Sequence, residues 1–186
     1  MHATTQRIVE LFHANGNSQY GHEAVTQLQH GLQAALMAEQ AGASSELIAA
    51  ALLHDVGHLL HDLPDDAPDQ GIDDRHEVLG ERWLEKHFAQ AVVEPVRLHV
   101  DAKRYLCSVE ADYLSLLSPP SVQSLHLQGG PMNAEEVSQF RTHPFHADAV
   151  RLRRWDDLAK DPNLVTPSIE HFARYLDAAA LAYAAV

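Results

Sequence analysis

Apolar positions recur at three- and four-residue intervals along almost the whole chain, and no stretch alternates convincingly between apolar and polar residues. This pattern predicts helix after helix. An amphipathic segment over residues 4–14 stops at Asn15-Gly16-Asn17, and a second runs from about 23 to 40, closed by Gly42. Ser44 or Ser45 caps a third over about 46–61, with Glu46 near the positive end of its dipole. The segment LPDDAPDQGIDDR (63–75), acidic and rich in Pro and Gly, reads as a loop. A fourth helix, HEVLGERWLEKHF, opens at His76, and Pro95 in a first-turn position opens a fifth, PVRLHVDAKRYLCSV. Ser118-Pro119 begins a short helix through Leu127, ended by Gly129-Gly130, and Asn133 with Glu136 makes a capping-box-like start for EEVSQFRTH. A helix over 146–160 carries RLRRWDDLAK, and a last one starts near Pro167 or Ser168. The expected fold is all-α, one domain over 1–186 with about nine or ten helices.

Composition narrows the setting. The chain of 186 residues carries a formal charge of −13, which disfavours nucleic acid and anionic lipid as partners. No apolar run of membrane-spanning length occurs, and MHATTQRIVELF lacks the basic and apolar regions of a secretory signal. With a single cysteine, Cys107, the expected location is the cytoplasm. A homo-oligomer is not indicated; the apolar tail LDAAALAYAAV has two readings, packing internally or on a partner.

Candidate chemistry begins with His54-Asp55 inside AALLHDVGHLL. A carboxylate and an imidazole in an apolar helix need a compensating partner, and for clustered imidazoles and carboxylates that partner is commonly a metal ion. His54 and His58 lie four residues apart, on one helical face, with Asp55 about a hundred degrees further round. The two oxygens of Asp55 allow it to bridge two ions. His30 sits on the neighbouring helix, His76 and His99 open or occupy helices whose other face is apolar, and Asp156-Asp157 follow Trp155. Spacing does not choose between Asp156 and Asp157. Of the 14 histidines, His61, His87, His143 and His146 read as ordinary hydrogen-bonded residues, and His2, His13, His126 and His171 have no constellation around them. Lys103 follows His99 by four and Arg153 precedes Asp156 by three, so both share a face with a candidate ligand. By themselves these two read as a solvated helix face, and Ser121 as a cap residue.

The ordered set His30, His54-Asp55, Asp156 resembles the metal signature of the HD-domain superfamily, a helical fold best known for metal-dependent phosphohydrolases. His76 and His99 resemble the subset that holds two metals. More narrowly, YGHEAVTQLQH (20–30), AALLHDVGH (50–58), HVDAKRYL (99–106), LQGGPM (127–132) and RLRRWDDLAK (151–160) resemble the PhnZ-type mixed-valence diiron oxygenases of phosphonate breakdown. That resemblance implies O2-dependent cleavage of the carbon–phosphorus bond of a 2-amino- or 2-(trimethylammonio)-1-hydroxyethylphosphonate, giving phosphate and glycine or glycine betaine. It implies two iron ions, Fe2+ and Fe3+: one held by His30, His54, Asp55 and Asp156, the other by Asp55, His76 and His99. Asp156 is preferred because the family's metal aspartate directly follows the Trp. The resemblance further implies phosphonate contacts from His58, Lys103, Ser121, Ser124 and Arg153, with Gln128 nearby. It also implies that Tyr20 and Glu23 close over the site, Glu23 facing the cationic end of the substrate. The residue types alone suit iron, manganese or similar ions without choosing among them.

Two other classes fit parts of the pattern. A phosphohydrolase would use the same metals to activate water against a phosphate ester, with Lys103 and Arg153 serving equally well. A non-catalytic HD-fold module would have little need to retain the whole ligand set.

Overall fold

The computed structural model describes residues 1–60 and 75–181. Most of the acidic 63–75 segment, and His61, lie outside the described residues. Ten α-helices appear among those described: α1 (Ala3–Asn15), α2 (Gln27–Gln40), α3 (Ser45–Leu53), α4 (His76–Leu84), α5 (Gln90–Val109), α6 (Tyr113–Leu116), α7 (Pro119–Leu127), α8 (Ala134–Thr142), α9 (His146–Leu158) and α10 (Ile169–Ala179). No strand ladder forms among these residues, only the isolated bridges Gln19–Thr26 and Phe88–Ala180. The all-α expectation holds. No helix among the described residues is long and apolar enough to cross a membrane.

The centre of the fold is α3, buried from Leu47 to Leu53. A helix that is apolar all round has to be enclosed, and α3 is packed by α2, α5, α9 and α10. Its alanines, Ala49, Ala50 and Ala51, let neighbours approach closely. Around them Leu52, Leu84, Val96, Leu152, Phe172 and Leu176 complete the main core. A smaller cluster of Leu98, Ala102, Met132, Phe140 and Ala149 seats α8 against α5 and α9.

Several helix boundaries differ from the periodicity reading. The second helix starts at Gln27 rather than near Glu23, because Thr26 and Gln29 form a reciprocal capping box. Tyr20 and Glu23 therefore sit in a tight turn ahead of the helix, closed by Glu23 N donating to Tyr20 O. The third helix ends at Leu53 and not near His61, and a short 3-10 turn follows over Val56–Leu59. Pro95 lies inside α5 instead of opening it, since Val92 and Val93 extend the buried face ahead of it. Finally, α9 stops at Leu158, which leaves Ala159 and Lys160 beyond the helix end. The four-residue α6 went unanticipated from the pattern.

The break after Leu53 depends on Gly57. A Cβ at this position would fall 2.0 Å from the carbonyl oxygen of His76, so only glycine lets the 3-10 turn reach the first turn of α4. Overpacking against rigid backbone destabilises by about 1–3 kcal/mol or more. We expect Gly57→Ala to lower the midpoint of thermal unfolding by several degrees, and to displace His76 from Asp55 as well. Circular dichroism melts would check the first effect.

Candidate metal centre

Five elements deliver the polar residues to one buried place. His30 lies one turn into α2, His54 is the C-cap of α3, and His76 is the first residue of α4. His99 sits midway along α5 and Asp156 near the end of α9. Asp55 adopts a non-helical conformation just past the α3 break, which turns its carboxylate between the histidines. His30 and His54 are fully buried, and His99, Asp55, His76 and Asp156 nearly so.

Imidazole tautomers follow from the outer hydrogen bonds. His30 Nδ1 lies 2.8 Å from Ala159 O, His54 Nδ1 2.9 Å from Ala51 O, and His99 Nδ1 2.6 Å from Val96 O. A carbonyl oxygen only accepts, so each Nδ1 carries the hydrogen and each neutral ring turns an Nε2 lone pair inward. The inward nitrogens come together: His30 Nε2 is 2.9 Å from His54 Nε2, and His99 Nε2 is 3.1 Å from His76 Nε2. Two lone pairs at that distance repel unless a proton or a metal ion lies between them.

The carboxylate of Asp55 divides its oxygens between the two histidine pairs. Its Oδ2 is 3.4 Å from both His30 Nε2 and His54 Nε2. Its Oδ1 is 3.3 Å from His76 Nε2 and 3.4 Å from His99 Nε2. Asp156 Oδ1 joins the first pair, 3.3 Å from His30 Nε2 and 3.7 Å from His54 Nε2. Ligands bonded at about 2.0–2.2 Å stand roughly 2.8–3.6 Å apart around a six- or four-coordinate ion. The observed separations fall in that range, except His54 Nε2 to Asp156 Oδ1 at 3.7 Å. Asp55 Oδ2 and both oxygens of Asp156 are buried without a hydrogen-bond partner, as expected of atoms facing cations; for Asp156 Oδ2 that cation is Arg153, an ion pair at 2.7 Å. The donor set of nitrogen and oxygen, with no thiolate, fits first-row divalent and trivalent ions.

Electrostatics point the same way. Burial opposes charge on Asp55, yet His54, His30 and His99 hold its carboxyl well below the usual range. For Asp156, burial is outweighed by Arg153 and then by His30 and His54. Conversely, burial lowers the His54 imidazole, but Asp55 and Asp156 raise it to about 10. Without metal, the pocket gathers protons instead, and metal binding would release them.

The remaining candidates surround this centre. Tyr20 stacks on His30 with ring centroids 3.8 Å apart and hydrogen-bonds to Asp55. Burial and the Asp55 and Asp156 charges raise its pKa well above that of an ordinary phenol. His58 does not share a helical face with His54; it stacks on His76 at 4.2 Å. Lys103 is buried on α5, where its Nζ donates to Ser124 Oγ at 2.7 Å. Among the described residues no carboxylate lies within ion-pair distance of it. Burial, with repulsion from Arg153, lowers its ammonium to about 7. Arg153 is turned towards carboxylates, with Nη1 2.7 Å from Asp156 Oδ2 and Nη2 on Asp157. Gln128 closes α7 with its Oε1 buried and without a hydrogen-bond partner.

Lys160 escaped the sequence reading. Its Nζ lies 2.9 Å from Glu23 Oε1, 3.1 Å from Ser118 Oγ and 2.9 Å from Ser121 Oγ, and 5.8 Å from the Tyr20 ring centroid. Ser118, the α7 N-cap, also donates to Glu23. The run WDDLAK carries this residue, which the periodicity places at the end of a continuous helix over 146–160, whereas α9 stops at Leu158.

An HD-domain profile matches residues 28–161. The chain belongs to the HD-domain family. It is 48% identical over 166 residues to the hydroxymethylphosphonate dioxygenase of Gimesia maris, covering 89% of this chain and 82% of that protein. It is also 41% identical over 163 residues to the glycine-betaine-forming [1-hydroxy-2-(trimethylamino)ethyl]phosphonate dioxygenase of Leisingera caerulea, covering 88% and 83%. This HD-domain protein is thus similar over most of its length to enzymes named as phosphonate dioxygenases.

Proposed function

We propose that this HD-domain protein is a two-iron oxygenase that uses O2 to cleave the carbon–phosphorus bond of a 1-hydroxyalkylphosphonate, releasing phosphate and a carboxylate. One observation carries the reading: Asp55 faces His30 and His54 with one oxygen and His76 and His99 with the other. The relatives' substrates span hydroxymethylphosphonate and a trimethylammonio derivative, so the shared chemistry is a C1 hydroxyl beside a phosphonate.

His30, His54, Asp55 and Asp156 would hold one ion and Asp55, His76 and His99 the other. An iron pair there supplies redox access to O2 and Lewis acidity towards the C1 hydroxyl and a phosphonate oxygen. The substrate itself provides the four electrons that reduce O2, so the reaction balances without an external reductant. Lys103 with Ser124, and Lys160 with Ser121, form two part-buried polar pairs for the phosphonate. Tyr20 covers the His30 side and limits access of water. Glu23, held by Ser118 and Lys160, closes the substituent end, where it would face a cationic substrate group. His58, stacked on His76, stands as a further polar group beside the second ligand set. The compartment we infer is the cytoplasm.

The test is phosphate release from hydroxymethylphosphonate, 2-amino- and 2-(trimethylammonio)-1-hydroxyethylphosphonate and phosphate monoesters, under air and under argon. The proposal expects release from at least one 1-hydroxyphosphonate, under air only. Release from esters under argon would instead make the protein a phosphohydrolase.

Lys103 gives a pH signature. In the substrate-free protein its ammonium titrates near 7, so it carries charge below that pH and loses it above. A phosphonate favours the charged form, so binding above pH 7 takes up a proton. The KM of the wild type should rise by up to about tenfold per pH unit above 7. In Lys103→Arg, which stays charged, that alkaline rise should vanish.

A further inference from the structure

Asp156 does not stand alone behind the first histidine pair. Its Oδ2 is 2.7 Å from Arg153 Nη1, while Arg153 Nη2 donates to Asp157 Oδ1. Asp157 Oδ2 accepts from the Tyr113 hydroxyl, and Arg153 Nε lies 3.4 Å from the same hydroxyl oxygen. Tyr113, Arg153 and Asp156 are all buried. The chain Tyr113–Asp157–Arg153–Asp156 therefore runs from α6 to the centre, with each polar group used once or twice.

We infer that Asp157 and Tyr113 are positioning residues for the metal centre: they hold the Arg153 guanidinium to one oxygen of Asp156 and leave the other free for the ion. This rests on the two-metal reading above. The reason is the donor geometry of arginine. A guanidinium facing a lone carboxylate forms a two-pronged pair that occupies both oxygens. Asp157, one helical turn away from Arg153 on α9, takes the Nη2 prong, and Tyr113 fixes Asp157 in place. With that prong engaged, Arg153 meets Asp156 through Nη1 at Oδ2, and Oδ1 keeps its 3.3 Å approach to His30 Nε2. If Asp157 were neutral, Arg153 would rotate towards both Asp156 oxygens and compete with the metal for Oδ1.

The acidic pair after Trp155 thus divides its work. Asp156 faces the ion, and Asp157 restrains the cation that would otherwise claim Asp156. Conserving shape without charge is then insufficient: Asp157→Asn weakens the grip on Nη2, whereas Asp157→Glu keeps the charge on a longer arm.

The experiment is metal titration of the full-length protein with Mn(II), a probe that needs no anaerobic handling, by electron paramagnetic resonance of the free ion. For the wild type two ions per chain are expected. In Asp157→Asn we expect one of the two to bind about tenfold or more weakly, in line with losses seen for groups that orient metal ligands. The other ion should keep its affinity within a few-fold, and Asp157→Glu should recover most of the loss. Tyr113→Phe, which keeps the buried ring, should weaken the same ion in the same direction by a smaller factor. It carries the test alone if Asp157→Asn fails to fold. Wild-type affinity for both ions in Asp157→Asn and Tyr113→Phe would overturn the inference and leave the two-metal reading standing. So would equal weakening of both ions together with a lowered melting temperature of the metal-free protein, which marks a merely structural role. Fewer than two ions on the wild type would overturn both.

Discussion

Asp55→Asn should abolish turnover and lower metal content from two ions per chain to one or fewer. An amide has one coordinating oxygen and no charge, so it cannot serve His30 and His54 on one side and His76 and His99 on the other. Loss of metal-based charge stabilisation is worth several kcal/mol, which corresponds to at least about a thousandfold in rate. The replacement has the same shape, so the surrounding core, built from α3 and its neighbours, should hold. Elemental analysis of the dialysed protein, beside phosphate-release kinetics, checks both parts. His76→Ala gives the companion result: one ion should remain, because His30, His54, Asp55 and Asp156 lose nothing directly.

Lys103→Ala should separate substrate binding from metal binding. Its ammonium is buried and, among the described residues, donates a hydrogen bond only to Ser124, and a desolvated cation of this kind is stabilised chiefly by an arriving anion. Removing one partner of a buried charge pair is worth roughly 2–5 kcal/mol. We therefore expect kcat/KM to fall by about 30- to 5000-fold, mostly through KM, while metal content stays at the wild-type value. The metal-free protein should melt no lower than wild type, because the side chain removed is a buried charge without a carboxylate partner. Steady-state kinetics and metal analysis on the same preparation measure the split.

Much of this was legible in the residues, for reasons that differ from site to site. Helix starts carried by local chemistry came through well: Ser118 before Pro119 and Asn133 with Glu136 cap as their side chains dictate, and the last helix starts after Ser168, whose side chain makes no cap hydrogen bond. His54-Asp55 stood out because two ionisable groups interrupt an apolar run, and the structure does gather His30, His76, His99 and Asp156 around them. The path of the backbone between them was harder to read. AALLHDVGHLL has unbroken helical periodicity, and nothing local announces that it must end at Leu53. The break is set by a tertiary contact, the close approach of Gly57 to His76 O. The same limit hid Lys160, which periodicity placed on a helix and which the early end of α9 swings towards Glu23 and Ser121. A phosphonate contact for Arg153 follows from the resemblance, not from its spacing to Asp156. Spacing gives the face of a helix, not the partner, and here the partners are Asp156, Asp157 and Tyr113.

The central claim is that two ions share Asp55, and anomalous X-ray scattering at the iron edge from crystals of the iron-loaded protein tests it most directly. Our account predicts two anomalous peaks per chain, one among His30, His54 and Asp156 and one between His76 and His99, with Asp55 between them. A single peak, or iron bound away from Asp55, would contradict it.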